Sequence, residues 1–320
     1  MKHELFKISI DDLNDAELET ELVSFLYSNS TKLIATPNAE MLVDAIQDNG
    51  NPPESPLAHS TGSGHPEESK GGKRGGAFRD ALSNTDLNLP DTVSIRFAVS
   101  ALTDNRLKNR HTGVDTLQSL IELCAREGKS VLFFGGNVET LKLAKKKVEG
   151  SLPQTLLREE MGPVITSTQY QGRDRDGFSI SILDPGAVEL VDDGVVIESS
   201  MMNRINKIKP DVIAIALPHK KQLAFMRQFK DEFPSVKIMI GVGGALDMIS
   251  GRLKRAPKWM RRTGLEWLWR VLIEPSRIGR ILKASVAFPA LVTIETIKRG
   301  RFIKAVKNTA PEIIRQLSGK

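Results

Sequence analysis

Six short stretches place chemically capable residues beside apolar runs or at the start of helical patterns. Leu87–Asp91, LNLPD, ends an apolar run in a carboxylate. An aspartate there can take a proton from a hydroxyl within hydrogen-bond reach, or it can cap the helix that follows. Ala35–Met41, ATPNAEM, follows a strand-like run and offers Thr36 and Asn38 as hydrogen-bonding side chains, with Pro37 stiffening the turn. In an open α/β sheet ligands bind beyond the carboxyl ends of strands, although Asn38 is equally placed to be a helix N-cap. Asn109–Asp115, NRHTGVD, sets Arg110 ahead of a Thr112-Gly113 turn into a helix. Arginine presents a planar fork of donors that suits a diphosphate, and a helix N-terminus favours anions. His111, alone between them, reads as a structural residue.

Three further loops are glycine-rich or basic. Phe134–Val138, FGGNV, offers Gly135 and Gly136, which let a phosphate or ribose approach the backbone. Leu217–Gln222, LPHKKQ, brings Lys220, Lys221 and Gln222 to a strand end, and IGVGGALD from Ile240 brings Gly241, Gly243, Gly244 and Asp247. None is a GxGxxG or Walker sequence. Asp174-Arg175-Asp176 lies in a polar stretch rather than at the end of an apolar strand, and the five His residues and single Cys124 form no metal-ligand pattern. No metal is therefore expected. Charge on a leaving group would be met by Arg, Lys and helix N-termini.

Short β-rich runs at Lys32–Thr36, Ser130–Phe134, Asp211–Leu217 and Lys237–Gly241 must position these loops. Helical patterns at Ala39–Gln47, Val114–Glu127, Glu139–Glu149, Met201–Lys207 and Lys220–Phe229 lie between them. Such alternation predicts an α/β fold, a parallel sheet covered by helices on both faces. Phe178–Leu183, FSISIL, alternates well, but acids and glycines follow it, so an edge hairpin and a loop both remain open. Residues 49–77 are Gly, Pro, Ser and charge, and read as a flexible insertion.

The chain has 320 residues with net charge +6, unevenly spread. Residues 251–320 hold 17 Lys/Arg against 4 Asp/Glu, and residues 1–250 hold 28 against 35. The basic end points to an anionic partner. It reads as short helices broken by Pro257, Gly264 and Pro275, with Leu265, Leu268, Trp269, Leu272 and Ile273 at helical spacing and all three tryptophans of the chain. Trp with basic residues suits a membrane interface; packing of that face on the body or a second subunit is the alternative. There is no signal-peptide pattern and no run near the ~20 apolar residues of a membrane span. One thiol fits a reducing compartment.

Taken together these motifs resemble the WecG/TagA/CpsF family of glycosyltransferases from about Lys32 to about Arg280. GVGGALDMISGRLKRAPKWMRRTGLEWLWRVLIEPSRIGR follows that family's pattern, ATPNAEM is similar to its TPNPEM, and RHTGVD to its RVTGxD. The resemblance implies a Rossmann-like glycosyltransferase domain over 1–250 and a basic, amphipathic appendage over 251–320 that completes the active site and meets the membrane. It implies an inverting enzyme that uses a UDP-sugar as donor substrate, often UDP-N-acetylmannosamine, and no cofactor. The acceptor would be a polyprenyl-diphosphate-linked amino sugar, met in the cytoplasm on the inner face of the plasma membrane, in cell-surface polysaccharide or teichoic acid biosynthesis. Homo-oligomers fit the family. Nucleic-acid binding through the basic tail is another reading, but the tail lacks the aromatic interleaving of single-strand binders and any helix-turn-helix signature, so no nucleic acid is expected.

Carried over by position, Asp91 is the general base, Thr36 and Asn38 line the acceptor side, and Arg110 and Gln222 complete the catalytic set. Gly135, Gly136, Gly243, Asp247, Arg270, Arg277 and Arg280 would hold the nucleotide and diphosphate. Two departures stand out. The family's DGxG reads Asp91-Thr92-Val93-Ser94, and its PKQE reads Lys220-Lys221-Gln222-Leu223. They leave a second reading open: a non-catalytic homologue that binds UDP-sugar or membrane and acts as a scaffold.

Overall fold

The apolar runs become neighbours in one sheet of the computed structural model, which describes residues 1–48, 77–152, 164–165, 178–184, 186, 188–191 and 194–318. The insertion, except Ala77, and Asp174–Asp176 lie outside the described residues. An antiparallel hairpin, β1 (Lys2–Leu5) and β2 (Ile8–Asp11), precedes α1 (Asp15–Leu26), whose start is fixed by an Asn14–Glu17 capping box. The chain then runs through β3 (Lys32–Ala35), α2 (Ala39–Gln47), α3 (Ala77–Ser83), β4 (Leu87–Asn88), α4 (Val93–Leu102) and α5 (Gly113–Arg126). Next come β5 (Ser130–Phe134), α6 (Val138–Ser151), β6 (Val164–Ile165) and β7 (Ser179–Leu183), then a second hairpin of β8 (Glu189–Val191) and β9 (Gly194–Val196). After α7 (Ser199–Ile208) follow β10 (Val212–Ile215), α8 (His219–Gln228), β11 (Ile238–Gly241) and α9 (Ala245–Ile249). The basic end forms α10 (Lys258–Arg262), α11 (Glu266–Ile273), α12 (Ile278–Leu282), α13 (Phe288–Lys298) and α14 (Phe302–Leu317).

Seven strands pair in the order β4-β3-β11-β10-β5-β7-β6, each with a parallel neighbour. Period-2 alternation feeds two cores, one on each face. Ile213, Ile215, Leu132 and Phe134 point to the side packed by α2, α4 and α8. Val212, Ala214, Val131 and Phe133 point to the side packed by α1, α5 and α6. FSISIL is neither an edge hairpin nor a loop. As β7 it lies between β5 and β6, with both faces covered and even Ser181 buried. The acidic, glycine-containing stretch after it supplies β8 and β9.

The basic helices fold back on the body. α13 and α14 pack on α4, and the π-helical turn Lys283–Ala287 packs on α2. Phe288, Val292 and Ala305 are buried in these contacts. Tight aromatic packing joins sheet and helix on the same side: the Phe225 ring lies 4.8 Å from both Phe134 and Phe229. Because Phe225 is fully buried, Phe225→Ala is expected to cost about 3–5 kcal/mol. In urea unfolding this should appear as a lower midpoint at unchanged slope.

Candidate active site

Parallel pairing sends the loops after β4, β3, β11 and β10 to one edge of the sheet, and between them opens a cleft of about 840 Å³. Thr36 and Asn38 line it after β3, Asp91 after β4, Gln222 from α8, and Gly243 with Asp247 after β11. Arg110 enters from the loop before α5. The facing wall comes from the basic helices, through Leu265, Glu266, Trp267, Arg270, Arg280 and Gln316.

Asp91 is placed by backbone contacts. Its N–H donates to the Pro37 carbonyl at 3.0 Å, extending the β3–β4 pairing beyond the strands. Its carboxylate accepts the Gly113 N–H at 3.1 Å, so it does not cap α4, whose N-cap is Thr92. Burial pushes its pKa up to about 6; Arg110 opposes that rise, Glu266 adds to it, and the Gly113 N–H and Arg270 pull it down again. The result is a carboxylate ionised at neutral pH but more basic than usual, as a general base needs to be. Arg110 donates to the Asp91 carbonyl at 3.3 Å and lies 4.0 Å from Glu266. His111 is buried, its Nε2 2.7 Å from the Leu13 carbonyl, in keeping with a structural role.

Asn38 meets both of its sequence readings. Its side-chain oxygen accepts the Met41 N–H at 2.9 Å as the N-cap of α2, and the residue still lines the cleft. The Thr36 hydroxyl donates to the Gly241 carbonyl at 3.3 Å. Gln222 is buried and its Oε1 accepts the Gly243 N–H at 3.0 Å. Its amide lies against Gly241, where an added Cβ would come within 1.9 Å of Nε2. Asp247 accepts a hydrogen bond from Thr140 at 3.4 Å.

Gly135 and Gly136 are not among the cleft-lining residues. Their φ values of +95° and +80° make the turn after β5, and a Cβ on Gly135 would meet the Ala216 carbonyl at 3.0 Å. They let that turn lie against the Ala216–Leu217 loop, which does line the cleft. Arg270 reaches Glu274 at 3.1 Å, and Arg280 lies 3.7 Å from Glu40. The Arg277 side chain lies outside the described residues.

Several residues in the site carry no local sequence signal of their role. Arg255 bridges to Asp115 at 2.7 Å and Thr112 at 3.3 Å, fastening the segment after β11 to the start of α5. At the cleft rim Asp44 pairs with His219 at 2.6 Å and with Lys283. Burial raises the Asp44 pKa, but these two partners outweigh it and hold it at about 2. Glu40, Asp44 and His219 are the one grouping with metal-ligand proximity among the described residues. Protein cations already balance it, Lys283 on Asp44 and Arg280 on Glu40.

Residues 71–302 match the model of the glycosyl transferase WecG/TagA/CpsF family. The chain belongs to this family. It is similar to two proteins named N-acetylglucosaminyldiphosphoundecaprenol N-acetyl-beta-D-mannosaminyltransferase. It is 26% identical to the one from Bacillus subtilis (strain 168) over 74% of this chain and 80% of that protein. It is 29% identical to the one from Bacillus spizizenii (strain ATCC 23059 / NRRL B-14472 / W23) over 64% of this chain and 67% of that protein. The stretches Arg110–Asp115 and Gly241–Arg280, within the matched residues, and Thr36–Met41, which precedes them, contribute lining residues to one cleft.

The raised Asp91 pKa also has a stability consequence. A carboxyl group whose folded pKa exceeds its unfolded value favours folding at low pH, and that contribution is lost as pH rises through about 6. Asp91→Asn removes the buried charge while its side-chain oxygen can still accept from Gly113. The variant should melt above the wild type at pH 7, and the difference should shrink toward pH 4 in calorimetric scans.

Proposed function

We propose that this chain moves N-acetylmannosamine, or a closely related sugar, from a UDP-sugar to a polyprenyl-diphosphate-linked amino sugar. The observation that carries the reading is Asp91: a basic carboxylate within the cleft, with Arg110 and Arg270 nearby. The reaction is one in-line displacement. Asp91 takes the proton of the acceptor hydroxyl, and that oxygen attacks the anomeric carbon. The bond from that carbon to the UDP oxygen breaks, UDP leaves with the electron pair, and configuration inverts.

Arg110, Arg270 and Arg280 supply cations for the diphosphate charge, so the step needs no metal. Thr36 and Asn38 contact the acceptor. Gln222 orders the Gly243 amide at the nucleotide side. The names of the two Bacillus relatives support the acceptor class.

In a purified assay with a short polyprenyl-diphosphate-GlcNAc acceptor and a panel of UDP-sugars, Asp91→Asn should lose at least about a hundredfold in kcat. The wild-type rate should rise with pH through an apparent pKa near 6, since only the ionised base acts. Near-normal turnover of Asp91→Asn would remove the base assignment. UDP binding without transfer by the wild type would favour the scaffold reading, in which Thr92 and Ser94, paired at 2.9 Å beside Asp91, stand where the family has glycine.

We place the enzyme on the inner face of the plasma membrane. Among the described residues no helix is long and apolar enough to cross a membrane. Trp259, Trp267, Leu272, Ile303 and Ile314 are exposed on the basic helices, among Lys and Arg. The protein should co-sediment with vesicles containing phosphatidylglycerol and much less with purely phosphatidylcholine vesicles. Leu272→Ser with Ile303→Ser should lower that binding while leaving the melting temperature near wild type.

A further inference from the structure

We propose that Asp11 and Asp12, where the N-terminal hairpin ends, are positioning residues for the transfer reaction: together they clamp the two chain segments that carry Asp91 and Arg110. The proposal rests on the roles given to those two residues above. Both aspartates are buried, and neither is among the cleft-lining residues. Both precede the stretch matched by the family, residues 71–302.

The Asp11 carboxylate accepts the N–H of Asn88 at 2.8 Å, three residues before Asp91. Asp12 uses both oxygens on the other segment. Oδ2 accepts the Lys108 N–H at 2.9 Å, and Oδ1 accepts the Asn109 N–H at 2.8 Å and the Asn109 side-chain amide at 2.9 Å. Arg110 is the next residue. Leu13 extends the clamp through its carbonyl, 2.7 Å from His111 Nε2.

Residues 103–112 form neither helix nor strand, so their N–H groups have no ladder to join and need partners from elsewhere. The clamp supplies them for Lys108 and Asn109. The two held segments then meet directly, with His111 N–H on the Pro90 carbonyl at 3.2 Å and Arg110 on the Asp91 carbonyl at 3.3 Å.

Three further side chains flank the clamp. Lys2 lies 3.4 Å from Asp11 and His3 lies 3.5 Å from Asp12. Arg96 grips the same loop from α4, donating to the Lys108 carbonyl at 3.0 Å. Around Asp91 itself the charged groups are Arg110 from the clamped loop and Glu266 and Arg270 from α11. If Arg110 drifts, Asp91 loses a cation that favours its ionised form. The rate profile then reports on the clamp, which a general loss of stability would not do.

The experiment uses the full chain with Asp12→Asn, Asp11→Ala and a control, Ile10→Val, which trims the buried core side of the same hairpin. Measured are kcat and KM, the pH profile, and amide hydrogen exchange over 86–91 and 107–112. Asparagine turns one carboxylate oxygen into a donor facing N–H groups. Asp12→Asn should therefore lower kcat about tenfold or more with KM changed less, because misplacement of catalytic groups is costly. The acid limb of its profile should move to higher pH, and exchange should quicken at 107–112. Asp11→Ala, which removes the acceptor of the Asn88 N–H, should quicken exchange at 86–91 and lower kcat, which keeps the proposal testable if Asp12→Asn does not fold. Ile10→Val should change none of these.

Wild-type kcat in both aspartate variants would overturn the proposal. So would a lower kcat in Asp12→Asn with an unmoved acid limb and unaltered exchange at 107–112. Failure of the base assignment is seen separately, as turnover by Asp91→Asn, and leaves the exchange results to decide whether the clamp exists.

Discussion

Taking a carboxylate out of bulk water makes its proton hard to remove, and the groups around Asp91 answer that cost only in part. Gly113 gives one N–H, and Arg110 and Arg270 give positive charge, while Glu266 pulls the other way. Glu266 also lies 4.0 Å from Arg110, so the cation is shared between two acids. A full ion pair would hold Asp91 too acidic to act as a base; burial alone would keep it protonated. The intermediate value depends on where Arg110 sits to within an ångström or so, since the interaction falls with distance in a poorly screened site. Much of the surrounding hydrogen bonding fixes loops that have no secondary structure of their own.

Parallel pairing explains why those loops are neighbours at all. It puts every strand's carboxyl end on one edge, so loops from β3, β4, β10 and β11 crowd together. Crowding shows in the glycines. A Cβ on Gly113 would lie 3.0 Å from the Thr36 hydroxyl, one on Gly241 would overlap Gln222, and one on Gly135 would press the Ala216 carbonyl. Gly113 and Gly241 have no positive φ, so their requirement is space rather than backbone freedom. Gly135 needs both.

This division sets what the sequence could reveal. Ser130–Phe134 and Ala39–Gln47 match their elements end to end, because apolar runs and helical periodicity are local signals. β4 has two residues and β6 two, too short for any period to register. FSISIL had the right alternation, but the acidic stretch after it hid its inner position. Within the site, Thr36 and Asp91 stand after strands, Arg110 stands ahead of α5 and Gln222 lies in the first turn of α8, positions visible in the sequence, and all four line the cleft. The Gly135-Gly136 pair has the composition of a phosphate loop, and its geometry makes a turn and a close packing contact. Arg255 with Asp115, and Asp12 with Lys108, are contacts across about a hundred residues or more. Such pairs leave no spacing pattern, so only the fold displays them.

The basic end shows how one stretch can serve both structure and surface. Its attachment does not depend chiefly on charge, because exposed ion pairs such as Lys304 with Asp104 contribute little and weaken with salt. Phe288, Val292 and Ala305 bury apolar surface against the body, and that term persists at any ionic strength. The ion pairs instead choose the register. Arg106 meets the buried Glu312 at 2.6 Å, Lys283 meets the buried Asp44, and Arg280 lies beside Glu40 at the cleft rim. A slide of α14 by one turn would keep much of the apolar contact but part Glu312 from Arg106, leaving it only Arg315 of its own helix, and a shift of Lys283 would leave Asp44 with His219 alone. Separating a buried acid from a cation costs more than a surface pair returns. The wall that carries Arg270 and Glu266 toward Asp91 is thus held in one position by buried acids outside the reaction, while its outward side chains are left to meet another surface.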